Sequence, residues 1–192
     1  MEDIEGIQFL IPIIIEALFF LWVLIGWHRF ILLQEQPNAF FPKWHGGRIL
    51  SYVGKSIIIT LIVGLPITLI IILFFALNYD GSDAYDMPVI ILFCVIFSYY
   101  SFRLGLVLPA TAIGSSIPLG VSWNSTAEIS RSLWLLSIIF IVPFMTLQEL
   151  NWAYFDTILT GVCIHILYGL WSIIGTSILT TLYDHLVDGH EL

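Results

Sequence analysis

Residues 54–78 read GKSIIITLIVGLPITLIIILFFALN. Beyond Lys55 this stretch holds no charged side chain, and its polar content is a few hydroxyls and Asn78. About 20 apolar residues in a helix rising 1.5 Å per residue cross the hydrocarbon core of a bilayer. The stretch therefore reads as a membrane span, and four others of the same kind flank it, at roughly 7–27, 87–108, 132–150 and 157–182. Backbone groups in lipid must be satisfied within the chain, and no strand-like alternation suggests a barrel, so the spans are expected as helices. The fold class that follows is all-α: a polytopic transmembrane helical bundle of about five spans, in one integral membrane domain over residues 1–192.

Composition supports the same class. Hydrophobic residues make up 59% of the 192 and charged residues 10%, with a mean hydropathy of +0.98; a soluble domain needs a more charged surface. The net charge of −8 argues against a nucleic-acid partner, whose footprint is a clustered basic face. Cys94 and Cys163 both lie in apolar runs, where a thiol behaves as a small hydrophobe and a disulfide framework is not expected. The acids Glu2, Asp3 and Glu5 after Met1 and the long apolar run behind them do not read as a cleavable signal.

Charge sets an expected orientation. The segments Trp27–Lys55 and Arg103–Arg131 hold all six lysines and arginines, and excess basic charge marks cytoplasmic loops. The opposite side carries Glu2, Asp3, Glu5, Asp80, Asp83, Asp86, Glu149 and Asp156 with no base. With five spans, the N-terminus is expected outside and the C-terminus in the cytoplasm. Tyr79, Tyr85, Trp152 and Tyr154 near one set of ends, and Trp27, Tyr52, Trp134 and Tyr183 near the other, read as interfacial aromatics.

Within the spans, Pro12, Pro66 and Pro143 read as ordinary membrane-helix prolines or as kinks, whereas Pro88 behind Asp86 reads as a helix start. The segment 109–131 is punctuated by Pro109 and Pro118, and from Pro118 its pattern suits a short interfacial helix near 118–130 anchored by Trp123. The first basic segment continues the first helix and stops before Pro37. There Arg29 and Lys43 are placed to meet lipid phosphates, and Glu35 to pair with Arg48 or Lys55.

The Trp27-His28-Arg29-Phe30 stretch, Leu32, Leu33 and Glu35, then Tyr52, then Tyr99 with Arg103-Leu104-Gly105-Leu106-Val107-Leu108-Pro109-Ala110, and Trp123 with Thr126 carry a resemblance over most of residues 20–135. Together they resemble small uncharacterised polytopic bacterial membrane proteins of alphaproteobacterial type, similar to the membrane domain attached to some glycerophosphodiester phosphodiesterases. The resemblance implies a helical bundle in the bacterial inner membrane and no known chemistry. Where that family usually has a polar-to-basic turn after Pro-Ala, this chain has Gly114-Ser115-Ser116 and no base.

Among candidate sites, Glu16 lies about nine residues into the first span, roughly 14 Å deep at 1.5 Å per residue. A carboxylate at that depth must face the bundle interior, pair or be protonated. His165 enters the fifth span to a similar depth, so the two are expected to face each other as an intramembrane polar pair; a contact from Glu16 to another subunit is the alternative. Trp27, His28, Arg29, Arg103 and Trp123 are expected as lipid-headgroup or interface contacts, and Arg103 could also cap helix carbonyls or pair with Glu128. The small residues Gly169, Ser172, Gly175 and Ser177 suit close helix packing. Asp184, His185, Asp188, His190 and Glu191 mix metal-ligand types without the spacing of a closed site, and no metal or other cofactor is expected. Ser115 and Ser116 lack a nucleophile-elbow context, and no catalytic set assembles, so the chain does not read as an enzyme. The expected function is a non-catalytic accessory or scaffold subunit packing against membrane lipids and a larger membrane complex or homo-oligomer. The alternative is a small transporter or channel working through Glu16 and His165.

Overall fold

The computed structural model describes the backbone of residues 2–38, 41–78, 86–154 and 158–189, and the side chains of 11–38, 41–77, 87–149 and 160–189. Within these the helices are α1 (Glu2–Leu33), α2 (Gly46–Asn78), α3 (Asp86–Leu104), α4 (Val107–Ile113), α5 (Leu119–Ser125), α6 (Ser130–Tyr154) and α7 (Ile158–Tyr183), with a closing π turn at Asp184–Asp188. α1, α2, α3, α6 and α7 contain stretches long and apolar enough to cross a membrane. The chain is a multi-pass membrane protein built as an all-helical bundle of about five spans. Pro12, Pro66 and Pro143 sit inside unbroken helices, and Pro88 falls in the first turn of α3, where its missing N–H has no intrahelical duty. Tyr79, Tyr85, Asp80, Asp83, Asp156, His190 and Glu191 lie outside the described residues, as do the side chains of Glu2, Asp3, Glu5, Asp86, Trp152 and Tyr154.

α3 is the central helix. A third of its apolar window is buried (33%), against 11% in each of the other four spans. It packs most extensively on α6 and also on α2 and α5, while α1 lies against α4, α7 and α2. The C-terminal ends of α1, α3 and α7 and the N-terminal ends of α2 and α6 gather at one end, the end that carries the lysines and arginines.

Two boundaries differ from expectation. α2 begins at Gly46 rather than near 54. The His45 carbonyl accepts from the N–H groups of Arg48 and Ile49 (2.9 and 3.1 Å), opening the helix early. Ile49 and Tyr52 then bury against Ile25 of α1 and Ala112 of α4, which offsets the poor helix propensity of Gly46-Gly47. α3 ends at Leu104, not 108, because the chain breaks at Gly105-Leu106 and restarts as α4. A Cβ on Gly105 would lie 2.5 Å from the Ser101 carbonyl oxygen and 2.8 Å from Leu179 Cδ2, so only glycine lets α7 approach the break.

The stretch between Pro109 and Pro118, for which no helix was expected, is a packed part of the molecule. α4 buries Val107, Pro109, Ala110, Thr111 and Ala112. With Leu106 before it, α4 contributes to three of the four core clusters, meeting Tyr52 in one, Ile59 and Val63 in another, and Tyr183 in a third. It ends at Gly114, whose φ of 95° is left-handed backbone that suits glycine. The short helix expected after Pro118 is present as α5, with Pro118 at its N-cap position. Of the aromatics expected at the basic interface, Tyr52 and Tyr183 are instead buried core. Trp134 stacks on Tyr99 at a centroid distance of 4.3 Å.

Candidate functional site

Breaking a helix at Gly105 leaves backbone groups without their usual partners, and side chains from α5 supply them. Ser122, fully buried, donates its hydroxyl to the Arg103 carbonyl (2.8 Å) and accepts the Leu106 N–H (3.3 Å). The Arg103 side chain is itself buried. Its Nε donates to Thr126 Oγ1 (3.2 Å), Nη1 to the Tyr99 hydroxyl (3.2 Å) and Nη2 to the Trp123 carbonyl (2.6 Å). The guanidinium also lies 3.7 Å from the Trp123 ring centroid, a cation–π geometry. Thr126 passes its proton to the Ser122 carbonyl (2.9 Å). Arg103 therefore caps one α5 carbonyl, that of Trp123, as one sequence reading allowed. It is not a headgroup contact, and it does not pair with Glu128. Trp123, part-exposed, forms the outer lid of this arginine and stacks on Tyr100 at 6.0 Å.

The second polar network joins α1, α2 and α7. His28, expected at the lipid headgroups, has no exposed surface. Its Nδ1 is 2.8 Å from Thr180 Oγ1 and its Nε2 is 3.2 Å from the Tyr52 hydroxyl. Thr180 gives its one hydroxyl proton to the Thr176 carbonyl (2.7 Å), so toward His28 it can only accept. That assigns the Nδ1–H tautomer, with Nε2 accepting from Tyr52. Burial of His28 follows from helical spacing that sequence reading overlooked: Leu21, Ile25, His28 and Leu32 share one α1 face, and the other three pack into the core. Trp27, one position along, donates its Nε1–H to Ser177 Oγ (2.9 Å), so its polar edge turns to α7 rather than to a headgroup. Tyr52 also borders a cleft of about 480 Å³ between the spans, together with Ser98, Phe140, Trp171, Gly175 and Thr176. Gly175 lies close against Phe140, while a side chain at Gly169 would meet open space.

The third cluster lies just beyond the end of α1. Glu35 receives the Arg29 Nε–H at 2.5 Å on one oxygen, and on the other meets His45 Nε2 at 3.1 Å and Lys43 Nζ at 3.6 Å. Arg29 Nη1 further donates to the Ala112 carbonyl of α4 (3.0 Å). Partial burial pushes the Glu35 carboxyl up, but hydrogen bonds and charge from Arg29 and His45 outweigh it and hold the group below its ordinary range. Its expected partners, Arg48 and Lys55, are not the ones it takes. The Arg48 guanidinium lies against Gly114 instead.

Glu16 and His165 are not brought together. Both are exposed on the single chain. The His165 Nδ1 turns back to the Gly161 carbonyl of its own helix (2.9 Å), and no hydrogen bond or ion pair between the two occurs among the described residues. Among the described residues no group of three or more metal-ligand side chains assembles. Against protein-family profiles, curated proteins and solved structures alike, the chain has no match.

Proposed function

We propose that this chain is a non-catalytic subunit of the bacterial inner membrane, packing through outward helix faces onto a larger membrane complex and its lipids. The orientation that goes with this reading places the basic end in the cytoplasm, the N-terminus outside and the C-terminus inside, on the strength of the excess of lysine and arginine there. The observation that carries the proposal is Glu16. It stands exposed on α1 among Ile13, Ile14, Ile15, Leu18 and Phe19, which are exposed too. A charged side chain facing hydrocarbon costs about 2.5–3.5 kcal/mol on insertion scales. A donor on a neighbouring protein removes that cost, and the chain's own His165 does not. The buried polar groups at the basic end, by contrast, are engaged with one another and with backbone, which suits anchoring rather than turnover.

The test is purification in lipid nanodiscs with mass spectrometry of what accompanies the protein, for the unmodified chain, Glu16→Gln and Glu16→Leu. The proposal expects a stoichiometric larger complex with the first two. Leucine should cut the yield of that complex while the protein itself still inserts. A solitary monomer in all three preparations, or a complex indifferent to Glu16→Leu, would sink it.

A further inference from the structure

The described residues 34–38 and 41–45 do not run out away from α1; they fold back along it. Gln34 takes left-handed backbone (φ 51°), and Asn38 and Phe41 exchange two backbone hydrogen bonds (2.9 and 3.2 Å). Trp22 then holds the returning strap at three points. Its ring stacks on Phe41 (5.9 Å) and meets Trp44 edge-on (5.8 Å), and its Nε1–H donates to the Lys43 carbonyl (3.3 Å). Pro42 lies so near α1 that a Cβ on Gly26 would fall 2.3 Å from the proline Cβ. Any larger residue at 26 would push the strap away.

Between strap and helix is a cleft of about 380 Å³. Its α1 wall carries Phe19, Val23, Trp27 and Phe30, which recur every three or four residues as one stripe roughly 16 Å long at 1.5 Å per residue. At the Phe30 end of that stripe stand Arg29 and Glu35, and the Lys43 and His45 side chains reach the same Glu35 carboxylate. The cleft thus grades from charged to apolar along the axis of a membrane-spanning helix, in the sense of a lipid with its head at the surface. Arg29 and Lys43 bring two positive charges against the one negative charge of Glu35, leaving a net +1 before any proton on His45. Lys43 is the least committed of these cations. Its Nζ stands 3.6 Å from Glu35, beyond hydrogen-bond distance, and its side chain is 45% exposed.

We infer that this cleft is a binding site for one phospholipid of net negative headgroup. The phosphate meets Lys43, supported by Arg29 and His45, and one acyl chain lies along the Phe19–Phe30 stripe. Glu35 gathers the Arg29, Lys43 and His45 side chains at the charged end of the cleft. The site rests on the cleft and its charges and not on a partner at Glu16, which lies one helical turn beyond Phe19 on the same α1 face. Phosphate chemistry is common to a lipid head and to free phosphate, so the test must separate them.

Purified full-length protein in detergent is titrated with phosphatidylglycerol, phosphatidylcholine and inorganic phosphate. Adducts are read by native mass spectrometry, and chain position by quenching of tryptophan fluorescence with brominated acyl chains. Phosphatidylglycerol should be retained in preference to phosphatidylcholine. Lys43→Gln, on an exposed side chain, should weaken it roughly fivefold, the effect of one basic residue at an anionic surface. Val23→Phe, which fills the groove, should reduce quenching; if that variant fails to fold, the Lys43 variant alone decides. Equal retention of both lipids with no effect of Lys43→Gln would overturn the inference in favour of ordinary annular lipid. Displacement of phosphatidylglycerol by inorganic phosphate at comparable concentration would overturn it in favour of a free-anion site.

Discussion

The two ends of this bundle are built on different principles. At the basic end, His28, Ser122, Thr126 and Thr180 are fully buried and bonded, and Leu106, Ala110 and Tyr183 close the core around them. Toward the other end, Ile13, Ile15, Leu69, Ile72, Ile139 and Ile166 face outward, and with them Glu16 and His165. Lipid tails are as apolar as leucine, so no hydrophobic force drives membrane helices together; packing and interhelical hydrogen bonds must do so. The contrast shows where this chain supplies those forces to itself. The basic end is a self-contained junction, whereas the described residues beyond it turn much apolar surface outward and pack on one another in fewer places, such as Phe144 with Tyr168 and Trp171.

Arg103 offers the harshest way to break that contrast. Arg103→Met would leave the Trp123 carbonyl and the Tyr99 and Thr126 hydroxyls without their charged donor, inside the junction that ties α3, α5 and α6. Hydrogen bonds to a charged group contribute about 1.5–3 kcal/mol each and do not add fully, so a loss of about 3–4 kcal/mol is expected. Denaturation of the protein in mixed micelles should show it. Arg103→Lys should recover less than half, because a point charge cannot make the planar fork's three bonds and stack on Trp123 as well. Full stability in the lysine variant would mean charge alone matters there.

Leucines sharpen the same contrast. Leu106 has no exposed surface and Leu69 is 58% exposed. Leu106→Ala removes packing that nothing can replace and leaves a cavity, for a loss of about 2–3 kcal/mol. In Leu69→Ala, lipid fills the space, and the change should stay under about 0.5 kcal/mol. Equal losses in the same denaturation experiment would show that the outer half is held together after all, or is covered by protein.

Sequence alone carried the spans and not the junction, for reasons visible in particular residues. A run such as 56–77 announces itself by composition. α4 did not, because the third span was expected to run to 108 and Pro109 to punctuate the chain there; yet Pro109 is the third residue of α4, in the first turn, where a missing N–H breaks no helix bond. The Glu16–His165 pairing rested on matched depth, which fixes position along two helix axes but not rotation about them. At 3.6 residues per turn, one residue turns a side chain by about 100°. His28 was mistaken in the opposite direction. Its place beside Arg29 suggested a headgroup contact, while its three- and four-residue spacing from Ile25 and Leu32 put it inside.

The gentlest probe lies where the junction meets the strap. Arg29 and His45 hold the Glu35 carboxyl below its ordinary range against the opposing effect of burial. A carboxyl whose folded value is depressed adds stability that is complete above its unfolded value and is lost as pH falls through the folded one. Acidification below the ordinary carboxylate range should therefore loosen the strap while leaving the bundle folded. Trp22, Trp27 and Trp44 lie in or beside the strap, so tryptophan fluorescence would follow that step. Glu35→Gln should abolish the acid step and shift the main thermal transition by less than about 4 °C, since the cluster is part-exposed and screened. An acid step that survives in Glu35→Gln would mean that another group ties the strap to α1, and that the basic end is less of a unit than its hydrogen bonds imply.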